Sequence, residues 1–511
     1  MAADQPFFVT TPIYYVNDTP HLGHAYPTVA ADALARFMRL DGRRVMFLTG
    51  TDEHGQKVER SAQALGLTPQ QFADQVSASF REMDRLLDIS YDDYIRTTEA
   101  RHIRGVQALW RELERRGEIY LGRFAGWYCV RDEAFYEESE LVDGKAPTGA
   151  EVEWLEEKNY FFRLSSWQDR LLAWYEANPE AIAPRSRRNE VVSFVRAGLN
   201  DLSISRTSFS WGIPVPGNPK HVIYVWLDAL TNYITALGYP ETESPDYSTF
   251  WPDVLHVVGK DILRFHAVYW PAFLMAAALE PPRRIFAHGW WTVEGEKMSK
   301  SLGNGIPPDV LVERYGVDPA RYFLLRELPF GSDGDFSHRA VVGRLNGDLA
   351  NDFGNLAQRV LVMINRECRA RVPEPGAFLA ADTELLGRAR GLLAAVRGHI
   401  SEQAFHMALE AIWRVVAEAN RYVDEQAPWV LRRSDPMRMK TVLYTLAETI
   451  RRLAILIQPF VPGAAAKLLD QLGVPEAARS FATIESAPLL PGALLPVPEG
   501  IFPRYVEARA E

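Results

Sequence analysis

Two short segments that lie far apart in the chain carry residues suited to binding a polyphosphate. The first is His21-Leu22-Gly23-His24, and the second is Lys297-Met298-Ser299-Lys300-Ser301. Two lysines three residues apart, with glycines and hydroxyl side chains around them, indicate a mobile cationic loop. Such a loop suits a phosphate group whose negative charge grows during a reaction. Either segment alone is a weak signal, whereas the two together in this order are a specific one.

The two histidines are expected at the start of a helix. Residues three apart share one face of a helix, and the free backbone N–H groups of a helix start attract phosphate. We expect the imidazoles of His21 and His24 to donate hydrogen bonds to the phosphates of a bound nucleotide. Gly23 has no Cβ, so the nucleotide can lie against the backbone. For an isolated His-x-x-His, a pair that only caps the helix is the alternative.

Other catalytic arrangements lack support in the sequence. There is no Gly-x-x-x-x-Gly-Lys-Ser/Thr segment of a P-loop kinase or ATPase. Nothing resembles a Ser-His-Asp arrangement or a metalloprotease helix. The residues therefore predict a reaction at a phosphate group without a protein nucleophile. The protein would accelerate that reaction by positioning the substrates and stabilising charge.

The elements that must position these residues follow a β-α-β pattern. Residues 7–11 and 45–49 read as buried strands, with a helix between them over 25–40, and further strands are expected at 222–226, 255–258 and 284–287. Polar residues follow several of these strands, as in Gly50–Gly55, Asp228, Gly259 and His288. The pattern predicts an α/β protein with a Rossmann-like, doubly wound parallel sheet, whose ligands bind beyond the carboxyl ends of the strands.

The pattern changes twice along the chain. We expect the first half of the sheet domain at 1–115, an inserted connective domain at 116–221, the second half at 222–290 and the lysine loop with its contact region at 291–340. From 341 to 511, long apolar-periodic segments (356–364, 385–400, 404–423 and 439–457) predict an α-helical bundle with a C-terminal tail packed on the body.

Composition sets the protein class. A length of 511 residues implies two or more domains, and 47% hydrophobic with 24% charged residues is typical of a soluble globular protein. No apolar run is long enough to span a membrane, and the N-terminus does not read as a secretory signal. Two distant cysteines offer no disulfide framework, so a cytoplasmic location is expected. The net charge of −10 argues against nonspecific coating of nucleic acid.

The two segments resemble the HIGH and KMSKS signatures of class I aminoacyl-tRNA synthetases, and the whole chain resembles the methionyl-tRNA synthetase family. The resemblance implies activation of L-methionine with Mg-ATP and transfer of methionine to the 3′ end of initiator and elongator tRNA(Met). Lys297 and Lys300 would contact the leaving pyrophosphate. The residues that match the family's methionine pocket are Ile13, Tyr15, Asp52, Trp226, Ala229, Leu230, Tyr233, Ile262 and His266. Those implied at the nucleotide are Gly23, Gly259, Asp261, His288, Gly289 and Lys300.

Within that pocket, Asp52 would hold the substrate ammonium. Aromatic and aliphatic side chains would enclose the thioether, a soft group suited to aromatic contact. Leu230 stands where the family usually has proline, which leaves the pocket apolar. In the helical region, Asn355, Arg359 and Trp429 match the family's readers of the CAU anticodon, and an arginine, an amide and an indole suit unpaired bases.

The chain departs from many relatives in the inserted domain. Cys129 stands at the first place of their zinc knuckle, but Asp132, Ala146 and Gly149 occupy the other three. One thiol and one carboxylate cannot complete a tetrahedral structural site, so no zinc or other bound metal is predicted. The resemblance is to the zinc-free bacterial and organellar subgroup. The family's frequent C-terminal RNA-binding appendage is also missing, which predicts a monomer.

Three other classes of protein fit the sequence less well. Another class I synthetase is the nearest, but the isoleucine, valine and leucine enzymes need an editing insertion larger than 116–221, and the cysteine enzyme needs metal ligands that are missing. A small nucleotidyltransferase sharing His-x-Gly-His needs no helical RNA-reading domain. A catalytically inactive RNA-binding paralogue is disfavoured by the intact His21, His24, Lys297 and Lys300.

Overall fold

The computed structural model describes residues 4–131, 134–136, 138–293, 296–297 and 305–507, with the backbone alone at 124–125, 134–135, 155–157 and 296–297. The strands are β1 (Pro6–Thr10), β2 (Tyr14–Tyr15), β3 (Arg44–Asp52), β4 (Asp93–Arg96), β5 (Ile119–Cys129), β6 (Ala134–Tyr136), β7 (Glu153–Phe162), β8 (Ile182–Ala183), β9 (Leu202–Ser203), β10 (Ser205–Arg206), β11 (Pro214–Val215), β12 (Asn218–Ile223), β13 (Val254–Gly259), β14 (Arg284–His288), β15 (Trp291–Val293), β16 (Glu296–Lys297) and β17 (Gly334–Phe336).

The helices are α1 (Leu22–Leu40), α2 (Gln56–Ala64), α3 (Pro69–Leu86), α4 (Ala100–Arg115), α5 (Gln168–Ala177), α6 (Arg185–Arg196), α7 (Val225–Thr235), α8 (Pro245–Phe250), α9 (Trp270–Ala276), α10 (Pro308–Tyr315), α11 (Val317–Arg326), α12 (His338–Arg344), α13 (Asn355–Glu367), α14 (Ala380–Ser401), α15 (Phe405–Gln426), α16 (Pro428–Ser434), α17 (Pro436–Ile457) and α18 (Pro462–Gln471). Among the helices of the described ranges, none has the length and apolar content that a membrane crossing requires.

A parallel sheet of seven strands organises residues 6–288. β4 and β2 both pair with β3, and the sheet continues through β1, β13, β14 and β8. Neighbouring residues of one strand enter different cores: Phe7 and Val9 join one hydrophobic cluster, and Phe8 joins the other. Both faces of the sheet are therefore covered, as strands rich in consecutive apolar residues require. The predicted fold class, a parallel α/β sheet followed by helices, is confirmed.

The strand predicted at 222–226 is wrong in its extent and in its sheet. β12 ends at Ile223 and lies antiparallel between β10 and β11, outside the parallel sheet. Tyr224 is the extended N-cap of α7, so Trp226 lies in the first turn of a helix. A short apolar run does not distinguish strand from helix, and here the helical spacing of the following apolar residues decides.

The inserted segment and the helical region each have a simple architecture. The four antiparallel strands β6, β5, β7 and β9 form one sheet, and β8, within the span 116–221, joins the parallel sheet. The helices predicted after 341 correspond to α13, α14, α15 and α17. The tail returns along the body, because Val372 N–H donates to Ala493 O at 2.9 Å and Leu495 N–H donates to Ala370 O at 2.7 Å.

Candidate active site

One cavity of about 860 Å³ opens at the carboxyl ends of β1, β3, β13 and β14. It is lined by every predicted methionine-pocket residue, by both histidines of the first signature, and by the predicted nucleotide residues other than Lys300. These residues are Ile13, Tyr15, His21, Gly23, His24, Asp52, Trp226, Ala229, Leu230, Tyr233, Gly259, Asp261, Ile262, His266, His288 and Gly289. Residues from distant parts of the chain therefore meet at one end of the sheet.

The lysine segment lies mostly outside the described residues. The backbone of Lys297 belongs to β16, where it pairs with Thr292 of β15. The side chain of Lys297 and the whole of Lys300 fall in the ranges that the structure does not describe. Their predicted role at the pyrophosphate stays a prediction.

His21 and His24 cap α1 reciprocally. The Gly23 N–H donates to Nδ1 of His21 at 3.0 Å, and the His21 N–H donates to Nδ1 of His24 at 3.1 Å. Because each Nδ1 accepts, the proton of each neutral ring lies on Nε2. Desolvation in the cavity wall, together with the neighbouring His21, holds the pKa of His24 well below its usual value. His24 is thus a neutral hydrogen-bond donor.

The structure shows why residue 23 is a glycine: the ring of His21 occupies the space that a side chain would need. A Cβ at this position would lie 2.7 Å from Cε1 of His21 and 3.0 Å from its Nδ1. The ring of His21 therefore folds back over the position that a side chain would fill. The capping arrangement of the two histidines depends on this glycine.

The apolar half of the cavity is built on α7 and the segment after β13. Trp226 stacks on Phe265 with ring centroids 3.7 Å apart, and Phe265 was missed in the sequence because the family pattern did not single it out. Nδ1 of His266 donates to the Ile262 carbonyl at 3.0 Å, so its Nε2 accepts from the Tyr233 hydroxyl at 2.7 Å. Burial lowers the pKa of His266 to about 4. The pair is neutral and fixed in orientation.

Asp52 contributes a carboxylate to the wall of the cavity. It ends β3, is 6% exposed and lies beside Tyr15 in the sheet register. Lys57 Nζ lies 5.2 Å from the centroid of the Tyr15 ring, which places a cation at the same edge. The neighbouring Glu53 is bound by Arg96 at 2.6 Å. Asp52 alone of these two acids lines the cavity.

The other half of the cavity is polar and lies where β13 and β14 end. Nδ1 of His288 donates to the Gly289 carbonyl at 2.7 Å, and burial lowers the pKa of His288. Trp290 Nε1 donates to Asp261 Oδ1 at 3.2 Å. Lys260, which lies between the predicted nucleotide residues Gly259 and Asp261, pairs with Asp333 at 2.5 Å and lies 4.1 Å from the Trp290 ring centroid. Charged and hydrogen-bonding side chains therefore line this half of the cavity.

The place of the zinc knuckle is apolar where the structure describes it. Cys129 is buried in a small cluster with Ala146 and Ala150. In the described ranges, no three His, Cys, Asp or Glu side chains come together as a metal-binding group, and Asp132 lies outside those ranges. The residues at 146 and 149 carry no ligand atom in their side chains, so they do not fit a four-ligand zinc site. The absence of zinc stays a prediction.

A second, smaller depression lies on the helical region. Arg359 of α13 and Trp429 of α16 line a groove of about 220 Å³ together with apolar residues of α13, α15 and α17. Trp429 is 44% exposed, and Arg359 pairs with Asp424 at 3.2 Å. Asn355 is exposed, four residues before Arg359 on α13, and does not line the groove.

Comparisons with known proteins agree over the whole chain. A family model described as "tRNA synthetases class I (M)" matches residues 7–153 and 140–361, and "Anticodon binding domain of methionyl tRNA ligase" matches 372–511. The methionine–tRNA ligase of Brucella suis biovar 1 (strain 1330) is 57% identical over 509 residues, 99% of each chain.

Solved structures give the same result. The Mycobacterium tuberculosis methionyl-tRNA synthetase in complex with methionyl-adenylate is 55% identical, with a TM-score of 0.96 over 98% of this chain and 100% of that chain. The apo form of that enzyme has a TM-score of 0.89 at 51% identity, covering 99% of each chain. The chain belongs to the methionyl-tRNA synthetase family of class I tRNA synthetases.

Proposed function

We propose that this protein is a methionine–tRNA ligase. It activates L-methionine with ATP to methionyl-adenylate and pyrophosphate, and then transfers methionine to the 3′ end of tRNA(Met). The observation that carries the proposal is the single cavity that joins an acid, an aromatic wall and two neutral imidazoles at a helix start. The similar M. tuberculosis enzyme, solved with methionyl-adenylate, supports the same chemistry.

The apolar half of the cavity receives methionine. Asp52 binds the substrate ammonium, and Ile13, Tyr15, Trp226, Ala229, Leu230, Tyr233, Ile262 and His266 enclose the side chain. Aromatic rings contact a polarisable thioether favourably. The Tyr233 hydroxyl donates a hydrogen bond to Nε2 of His266, so its oxygen remains an acceptor toward the substrate.

The polar half receives Mg-ATP as substrate. His21 and His24 donate from Nε2 to phosphate oxygens, at a helix start that also favours anions. Gly259, Asp261, His288 and Gly289 face the nucleoside. The methionine carboxylate attacks the α-phosphorus, a bond to the pyrophosphate oxygen breaks, and Lys297 and Lys300 stabilise the leaving charge. No protein nucleophile is required.

The helical region reads the tRNA. Arg359 and Trp429 share a groove on α13 and α16, and Asn355 lies one helical turn away. A half-exposed indole can stack on an unpaired base, and an arginine and an amide can bind base edges. We assign the CAU anticodon of initiator and elongator tRNA(Met) to this surface.

The remaining parts of the proposal concern organisation. The domain limits are 1–115, 116–221, 222–290, 291–340 and 341–511, and the protein acts in the cytoplasm as a zinc-free monomer. The side chains at 146 and 149, which carry no ligand atoms, support the zinc-free assignment. Stoichiometric zinc in elemental analysis, or a dimer in sedimentation at micromolar concentration, would contradict these two assignments.

Amino-acid-dependent exchange of pyrophosphate into ATP tests the activity. Each of the twenty amino acids is supplied in turn to the purified protein, and methionine alone is expected to give strong exchange. Charging of tRNA(Met) transcripts is then measured with radiolabelled methionine. Failure of methionine to stimulate exchange rejects the proposed function.

A further inference from the structure

Helix α7 has two faces with different neighbours. Trp226, Ala229, Leu230 and Tyr233 line the cavity. Asp228 and Thr235 are seven residues apart, nearly two helical turns, so they share one face of α7. Neither lines the cavity, and their face is opposite the one that does. Both are buried, at 0% and 2% exposure. The face turned away from the cavity therefore carries a buried acid that the proposed chemistry does not use.

Asp228 is bound by two histidines from different elements. Nδ1 of His54 donates to Oδ2 at 2.7 Å, and Nε2 of His102 donates to Oδ1 at 2.8 Å. Nδ1 of His102 and the Thr235 hydroxyl share a hydrogen bond of 2.9 Å, which closes the network back onto α7. Burial by itself raises the pKa of Asp228, but His54 and His102 outweigh it and hold that pKa below its usual value.

The network joins the two sides of the methionine pocket. His54 lies two residues after Asp52, the last residue of β3. Trp211 fixes the segment that follows β3. Its Nε1 donates to the Glu53 carbonyl at 2.5 Å, and its ring packs against His54. His102 lies on α4, which touches α7 closely: a Cβ at Gly105 would lie 2.2 Å from Thr235 Cγ2.

An ionic group buried this deeply is a poor means of adding stability. Removing a carboxylate from water costs several kcal/mol, and a hydrophobic contact of the same volume is often at least as stabilising. Directional hydrogen bonds, in contrast, fix the distance and angle between the elements that they join. The Asp228 network is therefore better suited to fixing the relative positions of the elements it joins than to adding stability.

We propose that Asp228, His54, His102 and Thr235 form a positioning network that sets the distance between the Asp52 carboxylate and the aromatic wall of α7, and thereby determines selectivity for methionine. This inference rests on the proposed function. None of Asp228, His102 and Thr235 lines the cavity, so all three act through Asp52, Trp226 and Tyr233.

Thr235→Val tests the network with a nearly isosteric change that keeps Cγ2 and removes the hydroxyl. His102 then loses the partner that orients its ring toward Asp228. We expect the methionine KM in pyrophosphate exchange to rise about 5- to 10-fold, the size of one lost buried hydrogen bond. The ATP KM should change less than twofold. The kcat/KM preference for methionine over norleucine, its sulfur-free isostere, should fall.

Two variants of α7 serve as controls. Thr235→Ser restores the hydroxyl and should restore the methionine KM. Thr231→Val makes the same change at a fully buried threonine whose hydroxyl donates to the Leu227 carbonyl of its own helix, and it should leave the methionine KM unchanged. Asp228→Asn, if it folds, should exceed Thr235→Val in its effect on selectivity.

The outcomes separate the two claims. Absence of methionine-dependent exchange in the unaltered protein rejects the proposed function. With exchange present, an unchanged methionine KM and norleucine preference in Thr235→Val rejects the network, even if the melting temperature falls. Equal increases in the methionine and ATP KM, or equal effects of Thr231→Val, also reject it, because they indicate general loosening of α7.

Discussion

At the scale of single residues, the site depends on which nitrogen or oxygen carries a proton. The cap of α1 makes Nδ1 of His21 and His24 acceptors, and the Ile262 carbonyl makes Nε2 of His266 an acceptor. Backbone groups therefore choose the tautomers before any substrate binds. Preorganised donors of this kind need no reorganisation when charge develops, which is the main source of electrostatic catalysis.

Gly23→Ala tests this residue-scale arrangement. The new Cβ would lie 2.7 Å from the His21 ring and displace it from the cap. Loss of the cap lowers the free energy of unfolding by about 1 kcal/mol, and the higher helix propensity of alanine raises it by a similar amount. The melting temperature should therefore change little. Methionine-dependent exchange should nevertheless fall at least about 10-fold.

Gly391→Ala is the matched control for that variant. It lies on α14, and a Cβ there meets nothing within 4 Å. This variant should keep full exchange activity and gain stability by up to about 1 kcal/mol. Normal exchange in Gly23→Ala would show that the His21 cap is dispensable.

At the scale of elements, short helix α16 presents Trp429 beside α13. Ala427, the residue between α15 and α16, has a left-handed backbone with φ of 42°, and this sharp corner separates the two helix directions. Pro428 then begins α16 and leaves Trp429 in its first turn. The exposed indole is thus a consequence of the corner, and it lies next to Arg359 in the groove.

Trp429→Ala should impair tRNA charging and spare amino acid activation. Loss of one base stack is worth about 1–3 kcal/mol, so kcat/KM for tRNA(Met) should fall about 5- to 150-fold. Methionine-dependent pyrophosphate exchange, which needs no tRNA, should stay within twofold. Val430→Ala, at the next and 56% exposed residue of α16, controls for general weakening of the helix. A parallel loss of exchange would contradict an RNA-reading role.

At the scale of the whole molecule, one buried arginine connects the active-site helix with the helical region. Arg321 of α11 is 0% exposed and donates to Asp32 of α1 at 2.6 Å, to Leu87 O at 3.0 Å, and to Pro459 O and Phe460 O at 3.0 and 3.2 Å. Pro459 and Phe460 form the turn between α17 and α18. The helix that His21 caps is therefore tied to the bundle that carries Trp429.

Arg321→Met should uncouple the unfolding of the sheet domain from the unfolding of the helical region. It removes the fully buried partner of Asp32, which keeps an ion pair with Arg36 at 2.7 Å, so the loss is at most about 3–5 kcal/mol. Calorimetry should show a lower melting temperature and a transition that splits in two. Arg414→Met removes an exposed pair with Glu410 on one helix and should cost at most about 1 kcal/mol. A single, unshifted transition in Arg321→Met would refute the connection.

Local sequence determined the fold class, the helices of the C-terminal region and the family, because hydrophobic periodicity and the two signatures are properties of neighbouring residues. The position of Trp226 was predicted on a strand and is found on a helix, since a five-residue apolar run fits either. Trp226 nevertheless lines the cavity. The roles of Lys297 and Lys300 remain predictions from the sequence.

Only the tertiary structure decided how the site is held. His54 and Asp228 are 174 positions apart, Asp228 and His102 are 126 apart, and no local pattern marks them as partners. The need for glycine at 23 likewise follows from where the His21 ring lies, and the tautomers follow from which backbone group each nitrogen meets. Sequence spacing specifies residues that share an element, whereas hydrogen bonds between elements exist only once the chain has packed them together.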